Sequence, residues 1–202
     1  MIQQSNQTFP FLNFPPYISL SEGWNEYYKE ISEFNINYEG HTSPIKQYMM
    51  SSFILASNCQ LFYEVGLNLG HCSWRLLNTL RYTGGKLLNF EIDTSKTPVE
   101  SALMRIFPRN YLGTVWGDSN ETLAKITEPC DIIHIDGGHS FPCFKNDLDL
   151  AIPLVKSGGF FFIDDAQVDS DIYRYSKEVF GDALVFFPDP THNIPFCIAQ
   201  QK

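Results

Sequence analysis

The chain has 202 residues, 44% of them hydrophobic and 18% charged, which excludes a disordered polymer and suffices for one domain with a single core. A net charge of −9, from 23 acidic against 14 basic residues with no Lys/Arg cluster, argues against nucleic acid or an anionic membrane as a main partner. No run approaches the roughly twenty apolar residues that span a bilayer, and the first residues lack a secretory signal pattern.

Residues 1–42 are set apart as an N-terminal arm or lid. Residues 1–18 are polar, then rich in proline and aromatic residues, which suits an extended segment. A short helix is expected over Ser21–Phe34 with Ser21 as N-cap, and another over Ser43–Ser57 with Pro44 in its first turn. From residue 60 short apolar runs alternate with amphipathic stretches. Strands are expected at Leu61–Val65, Lys86–Glu91, Gly113–Trp116, Ile132–Ile135 and Phe160–Ile163, with helices over 73–82, 97–107, 119–127, 143–156 and 168–180. This alternation predicts βαβ units and a parallel sheet covered on both faces. The end breaks the pattern: Ala183–Phe187 and Ile194–Ala199 are too close for a crossover helix. They should form a hairpin, so that the last strand is antiparallel. The expected fold is a Rossmann-like, doubly wound α/β sheet of seven strands in a domain spanning 43–202. Five cysteines (59, 72, 130, 143, 197), never spaced C-x-x-C, read as reduced thiols and make a cytoplasmic location the expectation.

The chemistry-bearing residues fall at strand ends. The first strand runs into Glu64-Val65-Gly66-Leu67-Asn68-Leu69-Gly70, a tight turn before a helix. Its G-x-x-x-G spacing is not the G-x-G-x-x-G of dinucleotide binders, which disfavours a pyrophosphate cofactor. The second strand ends at Glu91, where an acidic residue suits ribose hydroxyls. The third ends in Gly117-Asp118-Ser119, which fits either an adenine edge or a helix cap. The fourth ends Asp136-Gly137-Gly138-His139, and the fifth Asp164-Asp165. If those two strands are neighbours, three carboxylates and a histidine meet at the rim where open α/β sheets bind ligands. Plainer readings are a turn with Ser140 capping a helix, and Asp164-Asp165 capping the next one. His134 lies within a strand and reads as a core histidine. Tyr173 and Lys177 have the Y-x-x-x-K spacing of short-chain dehydrogenases, without the dinucleotide turn those enzymes need.

The order of these motifs resembles the class I S-adenosylmethionine-dependent methyltransferases, and within them the small metal-dependent O-methyltransferases with a D-G-G-H segment. The resemblance spans about residues 43–200. It implies that Glu64, Gly66, Asn68 and Gly70 line the methionine end of S-adenosylmethionine, that Glu91 holds the ribose, and that Asp118 and Ser119 flank the adenine. Asp136 would lie near the sulfonium. Asp136, Asp164 and Asp165 would hold Mg²⁺ or another divalent cation, as hard oxygen ligands favour. His139 would act as the base, a task imidazole suits near neutral pH. Cys72 departs from the serine common after the second glycine. The implied activity is methyl transfer to a hydroxyl of a small molecule, sugar or phenolic, by a possible homodimer. The alternatives are a metal-independent or inactive cofactor-binding protein, and a nicotinamide-dependent oxidoreductase.

Overall fold

The computed structural model describes Lys29 and residues 43–108, 111–189 and 195–202. The arm and first helix expected over residues 1–42 therefore lie outside the described residues, Lys29 excepted. Helix α1 (Pro44–Ser57) begins as expected: the Ser43 hydroxyl accepts from the Lys46 N–H, and Asn58 ends the helix in left-handed backbone at φ 52°. There follow β1 (Leu61–Val65), α2 (His71–Thr83), β2 (Lys86–Glu91), α3 (Thr97–Ile106) and β3 (Leu112–Trp116). A four-residue α4 (Ser119–Thr122), β4 (Cys130–Ile135), α5 (Phe141–Ala151), β5 (Val155–Ile163), α6 (Asp171–Phe180), β6 (Leu184–Phe187) and β7 (Phe196–Gln200) complete the fold.

The seven strands lie in the order β3-β2-β1-β4-β5-β7-β6. Pairings from β3 through β5 are parallel, and β7 runs antiparallel to both β5 and β6. The expected architecture, with its reversed last strand, is present. Alternation along the strands divides the core between the two sheet faces. Phe62, Leu87, Ile132 and Phe162 pack with Met50 and Ile54 of α1 and Leu77 and Leu80 of α2. Tyr63, Phe90, Ile133 and Phe161 pack with Phe144 and Leu148 of α5 and Phe180 of α6.

Three helices are shorter than their sequence suggests, one of them α6, which begins at Asp171 and not at 168. The stretch expected as helix over 143–156 is helical over Phe141–Ala151, then tightens into a 3₁₀ turn at Ile152–Leu154 and becomes strand at Val155. Pro153 has no N–H to continue the α-helical ladder. The stretch 119–127 is four helical residues followed by a 3₁₀ turn, Leu123–Lys125. Gly158 at φ +80° lets β5 start early, and Gly159 passes so close to the Asp131 carbonyl that a Cβ would stand 2.6 Å from it.

The strand order reverses between β1 and β4. In open α/β sheets the crevice at such a switch point, beyond the carboxyl ends of the strands, is the ligand site. Gly66 and Asp136 are the residues that leave those two strands.

Candidate active site

A cavity of about 590 Å³ opens at this switch point, a size ordinary for small-molecule sites. Its floor is the glycine turn after β1. Gly66 sits at φ +98°, and a Cβ there would stand 2.3 Å from the Asp136 carbonyl oxygen, so no other residue fits between β1 and β4. Asn68 (φ +44°) and Gly70 (φ +68°) continue the turn into α2. Glu91, buried at the end of β2, holds this turn in place. One of its oxygens accepts from the Leu67 and Asn68 N–H groups at 2.8 and 3.0 Å, and the other from the Asp93 N–H at 2.8 Å. Asp118 accepts from the Asn120 N–H at 2.9 Å and caps α4.

The opposite end of the cavity carries the carboxylates, and behind them stands a residue that the sequence reading passed over. Lys46, 1% exposed in the first turn of α1, donates from Nζ to Asp164 Oδ2 and lies 3.6 Å from Asp136 Oδ2. Burial opposes its charge, but Asp136 and Asp164 outweigh that and raise its pKa above the ordinary value. The two aspartates titrate as a pair. Burial pushes Asp136 well up, with Lys46 opposing and the neighbouring Asp164 carboxylate adding to the rise. Asp164 is held low despite its burial, chiefly by Lys46.

Asp165 faces elsewhere. Its backbone is left-handed at φ +53°, and its Oδ2 is bonded to His139 Nδ1. His139 is 73% exposed at the cavity edge. Beneath the floor, Ser73 Oγ donates to Glu64 Oε2 and accepts from Asn89 Nδ2 at 3.2 Å. His134 is wholly buried between Glu64, Cys72 and Asp136, at 3.8, 3.7 and 3.9 Å. Burial, then Lys46, lower its pKa, so it is neutral and these contacts are not ion pairs. Its Nε2 has no hydrogen-bond partner among the described residues, so the core reading of His134 is right about burial but not about satisfaction.

The structure brings Gly66, Asn68, Glu91, Asp118 and Ser119 to one wall of the cavity, and Asp136, His139, Asp164 and Asp165 to the other. Two expected residues do not line it. Glu64 is fully buried beneath the turn, because Ser73 holds its carboxylate there, and Gly70 serves as the N-cap of α2. The trio Asp136, Asp164 and Asp165 does not converge, since Asp165 turns to His139. Of the plainer capping readings, Ser140 does stand at the N-cap of α5, without a side-chain hydrogen bond, whereas Ser170, not Asp164 or Asp165, caps α6. Tyr173 and Lys177 are occupied elsewhere, Tyr173 against Phe186 and Lys177 on the Gly181 carbonyl at 2.7 Å. Lys46 shares one helix face with Met50 and Ile54, but that spacing alone does not mark a lysine as buried.

Comparison with solved structures places this arrangement in a known fold. The O-methyltransferase TomG from Streptomyces achromogenes, in complex with SAM, is 16% identical with a TM-score of 0.71, covering 95% of this chain and 92% of that one. The O-methyltransferase from Bacillus cereus, in complex with SAH, is 16% identical with a TM-score of 0.68, covering 95% and 94%. The SAH-bound methyltransferase PaMTH1 from Podospora anserina is 14% identical with a TM-score of 0.65, covering 91% and 88%. A search of curated proteins by sequence finds no match. The model of a methyltransferase domain matches residues 63–166, from β1 through the end of β5, which is just over half of the chain. The matched segment holds the glycine turn, Glu91, Asp136, His139 and the Asp164-Asp165 pair, and on that match the chain belongs to the methyltransferase domain family.

Proposed function

We propose that the protein transfers a methyl group from S-adenosylmethionine to a hydroxyl oxygen of a small acceptor, sugar or phenolic, with His139 as the base. The observation that carries this reading is the His139–Asp165 pair standing on the same cavity as the glycine turn. The structural neighbours with bound SAM or SAH support it.

The cavity fits the cofactor. Gly66 lets the Asp136 backbone pack against the turn that floors the cavity, a contact any side chain would break, and Glu91 retains capacity for a ribose hydroxyl. A carboxylate offers about four lone-pair sites, and backbone N–H groups take three of those on Glu91. Bound there, S-adenosylmethionine supplies a methyl group already activated by its sulfonium. The chain's own residues supply position and proton removal. With Nδ1 donating to Asp165, His139 offers Nε2 to the acceptor hydroxyl. The acceptor oxygen forms the new C–O bond as the C–S bond breaks, and its proton passes to Nε2.

The divalent cation expected from the sequence does not fit the residues as they stand. The Lys46 ammonium already lies against Asp136 and Asp164, the two carboxylates that would have to hold it. Two unit charges 4 Å apart repel by about 4 kcal/mol at an effective dielectric constant of 20, and a divalent ion doubles that. No step of the proposed reaction is routed through a metal.

The test is titration calorimetry with S-adenosylhomocysteine, paired with a methyl-transfer assay over a panel of hydroxyl acceptors. His139→Ala should retain affinity for S-adenosylhomocysteine and lose about 10²- to 10⁴-fold in kcat. Wild-type protein that binds NAD(P) and not S-adenosylhomocysteine would overturn the reading. Binding with no turnover of any acceptor, by wild type and variant alike, would leave a cofactor-binding protein without the transfer.

A further inference from the structure

We infer that Lys46 is the resident cation of this site, standing where the paired carboxylates of β4 and β5 would otherwise take a divalent ion, and that the acceptor is a single acidic hydroxyl of the phenol class. The clause on the acceptor rests on the methyl-transfer reading; the clause on the cation does not.

Three observations carry it. First, a lysine is almost never fully buried without a partner, and Lys46 at 1% exposure has two, Asp164 and Asp136. Its helix is anchored for the purpose, with Ser43 capping the turn that holds it and Met50 and Ile54 burying the same face. Second, His134, Asp136 and Asp164 place ligand atoms within 4.8 Å of one another, the geometry of a cation site. The ammonium stands against that cluster. Third, Asp165, which a divalent site would recruit, is turned by its left-handed backbone onto His139. Lys46 lies behind the carboxylates and does not line the cavity, so it is a positioning residue that acts through Asp136 and Asp164.

The consequence for the acceptor is chemical. A metal ion both lowers the pKa of a bound hydroxyl and favours acceptors that chelate through two neighbouring oxygens. An ammonium behind the carboxylates does neither. The His139–Asp165 pair must then remove the proton unaided. A phenol, ionising near pH 10, is within reach of an imidazole, whereas hydroxyls as weakly acidic as water, with a pKa of about 15.7, are not.

The experiment uses the full chain and Mn²⁺ alone as probe, followed by electron paramagnetic resonance, with thermal shift by S-adenosylhomocysteine on the same preparations. Wild type should bind no Mn²⁺ at micromolar concentration. Lys46→Met should gain a Mn²⁺ site, tighter by about ten- to a hundredfold, and should lose it again on adding Asp164→Asn. Lys46→Arg, which keeps the charge, should behave as wild type. Stoichiometric Mn²⁺ binding by wild type that Asp164→Asn abolishes overturns the inference, as does a folded Lys46→Met that gains no site. If Lys46→Met does not fold, the wild-type titration decides alone. In turnover, simple phenols should be methylated equally with and without EDTA, and Mg²⁺-dependent turnover of vicinal diols contradicts the clause on the acceptor. Failure of S-adenosylhomocysteine to shift the melting temperature counts against methyl transfer and leaves the cation inference standing on the Mn²⁺ data.

Discussion

Gly66 and Gly84 both hold left-handed backbone, at φ +98° and +72°, yet their surroundings differ completely. A Cβ at Gly84 meets nothing within 4 Å, while one at Gly66 meets the Asp136 carbonyl at 2.3 Å. Gly84→Ala should therefore cost only backbone strain, about 1 kcal/mol in urea unfolding, with S-adenosylhomocysteine affinity intact. Gly66→Ala should cost about 3 kcal/mol or more and abolish that affinity, because β1 and β4 must part to admit the methyl group. Cysteine reactivity offers a second test of single residues. Four of the five cysteines are buried, and burial pushes the thiols of Cys130 and Cys197 up to about 12. Cys143 is exposed and lines the cavity. Iodoacetamide should label Cys143 first, as peptide mass spectrometry would show, and S-adenosylhomocysteine should slow the labelling. The strand-end residues were legible because each closes a short apolar run and so must stand at the sheet's rim. Lys46 was not, because nothing local marks a single lysine in a helix as buried; its partners, Asp136 and Asp164, are remote in sequence. Glu64 misled for a related reason: its position before the glycine turn is visible, but the Ser73 hydroxyl that draws it under the floor is a tertiary contact.

The carboxyl ends of strands were located more closely than helix ends, although β5 begins five residues early at Val155, and the cause is physical. A β-branched or aromatic run ends abruptly at glycine or aspartate, whereas α4 and α5 pass into 3₁₀ turns that keep helical periodicity for part of a turn. The joint between β1 and β4 gives a prediction at this scale. Asp131 at the start of β4 accepts from the Gln60 and Leu61 N–H groups at 2.8 and 2.9 Å, and Lys156 Nζ donates to it at 2.6 Å. Burial works against its ionisation, but the Lys156 bond and the two backbone donors prevail and hold its pKa below the ordinary carboxylate range. A depressed folded-state pKa gives stability that is complete above the unfolded value of about 3.9 and is lost as pH falls through the folded value. Asp131→Asn should thus destabilise the protein by about 1 kcal/mol at pH 7, and the difference from wild type should shrink in acid. Urea unfolding at both pH values checks it. An equal difference at neutral and acid pH would mean that the charge on Asp131 is not what joins these strands.

For the whole molecule, alternating apolar runs and helices were enough to anticipate the wound sheet, and the short interval before β7 its reversed last strand. The strand order followed only from coordinates, since no local signal says that β4 pairs with β1, and it is this pairing that brings Asp136 over Gly66. No helix among the described residues is long and apolar enough to cross a membrane. The expected arm of residues 1–42 and a possible homodimer are proposals that gel filtration of the full chain and of a chain beginning at residue 43 can address. The most direct measurement is a crystal structure grown with S-adenosylhomocysteine and Mn²⁺, with anomalous scattering recorded at the manganese edge. The account predicts adenosine against Glu91 and Asp118, the sulfur beside Asp136, Lys46 still on Asp164, and no manganese peak there. A cavity left empty at full ligand concentration, with S-adenosylhomocysteine bound elsewhere or not at all, would contradict it.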